Sequence, residues 1–84
     1  MHRTFLERAA ERDLKGLPAR QFERIVARIR ALAADPRPAG CQKIAGSGND
    51  WRVRVGPYRI IYEVDDAAQA VRIMRVRPRH TAYR

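Results

Sequence analysis

In the stretch WRVRVGPYRIIYEV, Arg52 and Arg54 alternate with Trp51, Val53 and Val55. Successive side chains of a β-strand point to opposite faces, so the two arginines share one face and the three apolar residues the other. Gly56-Pro57 then suits a two-residue hairpin turn, because Gly accepts positive φ and Pro fixes φ near −65°. The returning strand, residues 58–64, brings Arg59 beside Arg52 and Arg54. Three converging guanidinium groups are equipped for an anion: each carries a permanent charge and a planar fork that matches phosphate or carboxylate. None of them is a base at neutral pH. The patch can bind and stabilise, and a proton acceptor has to come from another part of the chain.

The composition agrees with an anionic partner. The chain has 84 residues and a formal net charge of +9, and 16 of its 18 basic residues are arginine, Lys15 and Lys43 being the exceptions. A sequence pI near 11.2 points to nucleic acid or an acidic protein. Hydrophobic residues make up 45% of the chain, which fits one globular domain spanning 1–84 rather than disorder. The single Cys41 excludes an internal disulfide and fits a reducing, cytoplasmic setting. No long apolar run and no signal peptide are present, so no membrane association is expected. His2, His80 and Cys41 fall at no metal-ligand spacing, and neither metal nor cofactor is expected. Gly46-Ser47-Gly48 lacks the Lys-Ser/Thr of a phosphate-binding loop and reads as a turn.

The elements that must hold the patch follow from periodicity. Residues 1–5 read as a short strand with Met1, Arg3 and Phe5 on one side. From Leu6, the apolar positions Leu6, Ala9, Ala10 and Leu14 recur at helical spacing, and Gly16 ends that helix. Pro18 opens a second helix, whose stripe is Phe22, Ile25, Val26, Ile29, Leu32 and Ala33, with Arg20, Arg24, Arg28 and Arg30 on the opposite face. Asp35-Pro36 stops it, since the residue before proline avoids helical dihedrals. Residues 36–50 read as a loop. After the hairpin, residues 70–76 form a further strand behind a short polar loop, which requires antiparallel pairing. The expectation is an α+β domain of order β-α-α-β-β-β, with two helices on one face of a mainly antiparallel sheet.

This order of motifs resembles the RelE/ParE superfamily of bacterial toxins, in its RelE-like branch. The resemblance runs through FLERAAERDLKGL, the second helix ending in LAADPRP, WRVRVGPYRIIYEVDD, and VRIMRVRPRHTAYR. It implies a toxin of a type II toxin–antitoxin system that cleaves messenger RNA in the ribosomal A site and is held inactive by a cognate antitoxin. Carried over by motif, the working residues fall on Arg52 and Arg54, on Arg59 after Tyr58, on Arg79, and on Tyr83. Arg77 joins Arg52 and Arg54 as a substrate-phosphate ligand. Arg77-Pro78 stands where such toxins usually have Gly-His or a similar pair.

Metal-free RNA cleavage requires a base for the ribose 2′-OH, cations for the pentavalent phosphate and an acid for the leaving 5′-oxygen. Nearby arginines favour the ionised phenol and so suit Tyr83 as the base. His80, which titrates near neutrality, is the competing base. Bland readings stand beside these. Arg52 and Arg54 alone describe a solvated sheet face, Tyr83 an aromatic docking the tail, and the four helix arginines a solvated flank or a contact to ribosomal RNA phosphates. Trp51 reads as core, and Tyr58 and Tyr62 as packing residues with hydroxyls at the rim. The alternatives to a ribosome-dependent endoribonuclease are a ParE-like toxin that inhibits DNA gyrase and a basic nucleic-acid-binding module.

Overall fold

A computed structural model describes residues 1–79 of the chain. Its elements are β1 (Arg3–Leu6), α1 (Arg8–Lys15), α2 (Ala19–Ala34), β2 (Gln42–Lys43), β3 (Asp50–Val55), β4 (Tyr58–Asp65) and β5 (Ala70–Pro78). The strands form a single sheet in the order β1-β5-β4-β3-β2. The pairs β2–β3, β3–β4 and β4–β5 are antiparallel, and β1 runs parallel to β5. A parallel pair needs a long crossover, and the two helices supply it. The expected α+β order is present, with one addition: the stretch read as a loop contains β2. Two residues carry no usable alternation, so only their pairing with Trp51 and Arg52 defines the strand.

The core lies between the helices and one face of the sheet. Ala10 and Leu14 from α1 and Ile25, Ile29 and Leu32 from α2 pack against Val53, Ile60, Tyr62, Val64, Val71, Ile73 and Val76. Burying each large aliphatic side chain contributes about 1.5–3 kcal/mol, so the α2 stripe and the apolar positions of β3, β4 and β5 hold the sandwich together. Trp51 and Val55 pack against this cluster, as their alternation with Arg52 and Arg54 requires. Phe22 departs from the expected stripe at 42% exposure; it sits in the first turn of α2. Leu6 belongs to β1 rather than to the first helix, because its backbone pairs with Ile73.

Helix ends follow local chemistry. Gly16 caps α1, its N–H donating to the Asp13 carbonyl while the Leu17 N–H donates to the Leu14 carbonyl. Asp35, held extended at φ −140° before Pro36, ends α2. At the hairpin, Gly56 takes φ +58° in the two-residue turn between Val55 and Tyr58, which are directly paired, so the turn forms as its sequence requires.

β5 is the less regular strand. Val71, Ile73 and Val76 are all buried, yet a regular strand cannot put Ile73 and Val76 on one face, three residues apart. The register shift against Ile61/Tyr62 resolves the conflict: Tyr62 pairs with Ile73 and Ile61 with Arg75, leaving Met74 as the extra residue of a β-bulge. The strand also runs on to Pro78, so Arg77, which the sequence places in a tail, is a strand residue.

Candidate active site

Register puts the arginines of the hairpin end into rows. Arg54 pairs with Arg59 across β3–β4, and Arg59 pairs with Arg77 across β4–β5. Paired residues share a face, so three guanidinium-bearing residues lie side by side on three adjacent strands. The next row along the strands is Arg52, Ile61 and Arg75. These rows occupy the face opposite Val53 and Ile60, which the alternation of β3 and β4 turns away from the helices.

Arg59 is the centre of the first row. It is 6% exposed and is the one buried charged residue among those described. Arginines carried at paired positions on three adjacent strands concentrate positive charge, and a polyanion offsets the repulsion among them.

The cluster opens at the edge of the sheet. β2 reaches only as far as Trp51 and Arg52, so no described strand covers the outer edge of Val53 to Val55. A depression of about 300 Å³ forms there, lined by Arg28, Gln42, Arg52, Arg54 and Arg59 together with Ala39 and Gly40. Gln42 orients Arg52, its Oε1 accepting from Nε at 3.1 Å and Nη2 at 2.9 Å. A neighbouring depression runs along α2 and contains Arg24, Arg28, Arg54 and Gly56. The guanidinium of Arg24 lies over the hairpin turn, close enough that a Cβ on Gly56 would stand 2.9 Å from Nη1.

Arg28 and Arg24 therefore belong to the cluster, although the helical pattern assigns them to a solvated flank. The pattern correctly places them off the apolar stripe. It cannot show that this side of α2 borders the part of β3 that no described strand pairs with.

A family profile described as ParE toxin of type II toxin–antitoxin system, parDE, matches residues 5–83. The chain belongs to this toxin family. The toxin has the fold of RelE in the archaeal RelE–RelB complex of Pyrococcus horikoshii, with a TM-score of 0.84 and 27% identity, over 96% of this chain and 98% of that one. It is equally similar to a chain of the RelBE2 toxin–antitoxin complex of Mycobacterium tuberculosis, with a TM-score of 0.82 and 28% identity over 93% and 98% of the two chains. The isolated RelE toxin of E. coli shares the fold at a TM-score of 0.81 and 18% identity, over 93% and 84%. No curated protein sequence matches the chain. The resemblance to the RelE/ParE superfamily is thus borne out by fold and family together, and the RelE-like branch by the likeness to RelE structures.

Of the residues the sequence singles out in the toxin, Arg52, Arg54, Arg59 and Arg77 come together on the sheet. Arg79 is exposed and lies just past β5; its N–H donates to the Pro57 carbonyl at 2.8 Å, which carries the departing chain over the hairpin turn. Tyr83 and His80 lie outside the described residues. Trp51 packs on the core as expected and carries Arg37 over its ring at 5.2 Å.

Tyr62 does not reach the rim as expected. It is fully buried and its hydroxyl donates to the Pro36 carbonyl at 2.7 Å. Burial, with Cys41 alongside, pushes its phenol well above the ordinary tyrosine value, so Tyr62 is no candidate base. Two further residues escape the sequence: Arg75 and its partner Asp13. Asp13 Oδ2 accepts from Arg75 Nε at 2.9 Å and from the Val76 N–H at 2.9 Å, and Oδ1 accepts from Arg75 Nη2 at 3.2 Å. Burial pushes the Asp13 carboxyl up, but the hydrogen bonds from Arg75 and Val76 and the charges of Arg75 and Arg77 pull it below the ordinary 3.8.

Proposed function

We propose that this toxin is a ribosome-dependent endoribonuclease that cuts messenger RNA in the A site without a metal ion. The observation that carries the reading is the row Arg54–Arg59–Arg77 with a buried central arginine. Cations held by strands at fixed spacing are preorganised for charge that develops in a transition state, where removing one donor costs about 10²–10³ in rate.

In the reaction, Tyr83 takes the proton of a ribose 2′-OH. The freed oxygen attacks the adjoining phosphorus as the bond to the 5′-oxygen breaks, and that oxygen takes a proton from solvent water, leaving a 2′,3′-cyclic phosphate and a 5′-hydroxyl. Arg59 and Arg79 stabilise the pentavalent phosphate, while Arg52, Arg54 and Arg77 hold its neighbours. The arginine cluster favours the ionised form of any phenol brought to it. His80 is the competing base, and the two separate by substitution. Tyr83→Phe should cut single-turnover cleavage by about 10²–10⁴ with ribosome binding intact, whereas undiminished cleavage removes Tyr83 from the mechanism.

The RelE chains of similar structure occur in complexes with RelB, which supports a cognate antitoxin as the physiological partner. An arginine-lined cleft suits an acidic segment that also conceals it. The matched family bears the ParE name, which favours gyrase inhibition as the second reading. Mapping RNA 5′ ends on translated messages beside a gyrase supercoiling assay separates them: new ends within codons support cleavage, and blocked supercoiling with intact messages supports the other.

A further inference from the structure

Asp13 stands in the last turn of α1, where a negative charge opposes the helix dipole and aspartate is a weak helix former. Its side chain is nonetheless only 15% exposed and is fully engaged with β5. The need it meets lies in that strand. β1 pairs with β5 only through Ile73, so beyond that residue the outer edge of β5 has α1 beside it instead of a strand. The Val76 N–H on this edge is taken by Asp13 Oδ2, and the same carboxylate grips Arg75 with both oxygens.

This contact lies at the bulge. Were Met74 an ordinary paired residue, strict alternation after Ile73 would turn Arg75 and Arg77 toward the core and Val76 away from it. The bulge reverses that phase and sets Arg77 opposite Arg59. Arg77 is then bracketed by two anchors: the Asp13 carboxylate on Val76, one residue before it, and the Pro57 carbonyl on Arg79, two residues after it.

We infer that Asp13 is a positioning residue: by fixing the Arg75–Val76 segment of the bulge it holds Arg77 in the arginine row. The inference rests on the endoribonuclease reading for its consequence in catalysis, and on the structure alone for its effect on Arg77. Asp13 touches no substrate in this account. It acts through Val76 and Arg75 and, by its charge, on Arg77 itself; Asp13→Asn removes the charge and keeps the contact to Val76.

The test compares Asp13→Ala, Asp13→Asn and Leu14→Ala in the full chain. Leu14 is a neighbouring core residue of α1, so its truncation destabilises the same helix while leaving the Asp13 carboxylate in place. Two quantities are read at a temperature where each variant is folded: the NMR resonance of the Arg77 Nε–H, and the single-turnover cleavage rate on programmed ribosomes at saturation. In Asp13→Ala the Arg77 resonance should move and the saturated rate fall by about 10–100-fold, as for a misplaced group, with apparent ribosome affinity changed far less. Asp13→Asn retains side-chain oxygen for the Val76 N–H and should recover part of both. Leu14→Ala should melt earlier yet keep the wild-type resonance and rate.

An unmoved Arg77 resonance or an unchanged saturated rate in folded Asp13→Ala overturns the inference, as does an equal loss in Leu14→Ala. Should the wild-type protein leave messages intact, the endoribonuclease reading fails on its own. The resonance comparison then still decides whether Asp13 sets Arg77.

Discussion

At the end of the sheet away from the hairpin turn, arginines meet carboxylates. Arg72 Nε lies 3.5 Å from Glu63, and Arg37 Nη2 lies 2.8 Å from Asp66, which also meets His2 at 3.2 Å. Hydrogen bonds from Arg37 and His2 pull the Asp66 carboxyl below its ordinary value. At the hairpin end the arginines meet one another: Arg54, Arg59 and Arg77 stand in one row, and Arg24 and Arg28 approach from α2. One residue type thus serves two purposes in a single sheet. Exposed pairs of opposite charge close loops at little energetic consequence, whereas arginines gathered on neighbouring strands concentrate positive charge and suit an anionic partner.

The largest test of this contrast is Arg59→Met. It should reduce single-turnover cleavage by about 10²–10³ in a protein that still unfolds cooperatively. Denaturation melts and single-turnover rates on the same preparation check both. Loss of activity together with loss of the fold would instead make Arg59 a structural residue.

A smaller effect sharpens the boundary of the cluster. If Arg28 belongs with the sheet arginines, Arg28→Ala should weaken ribosome binding by up to about tenfold and lower the log–log salt slope by about 0.7–0.9, the contribution of one phosphate contact. An unchanged slope returns Arg28 to a solvated flank. The smallest effect belongs to the other end: Glu63→Gln should cost less than about 0.5 kcal/mol and leave cleavage unaltered, as read by urea denaturation and the same rate assay.

The legible parts of the molecule are those in which period and burial agree. The alternation of Trp51, Val53 and Val55 with Arg52 and Arg54, the turn at Gly56-Pro57 and the apolar stripe of α2 each state their role locally, and the structure keeps them. What the sequence hides is set by neighbours. β2 exists only through its pairing with β3. Arg28 joins the cluster because it lines the same depression as Arg52, Arg54 and Arg59. Tyr62 is buried by a loop that comes down on its hydroxyl through Pro36. The bulge was available as a signal: Ile73 and Val76 are both apolar at a spacing no regular strand permits. With that spacing, Arg77 follows as a partner of Arg59 rather than a tail residue.

The central claim is that the hairpin-end arginines stabilise a scissile phosphate. It is tested most directly by mapping RNA 5′ ends in cells expressing the wild-type toxin or Arg59→Met at equal levels. The account requires new ends within codons of translated messages for the wild type and a loss of about 10²–10³ in their yield for Arg59→Met. Equal yields from the two proteins, or intact messages with the wild type while growth still stops, would contradict it.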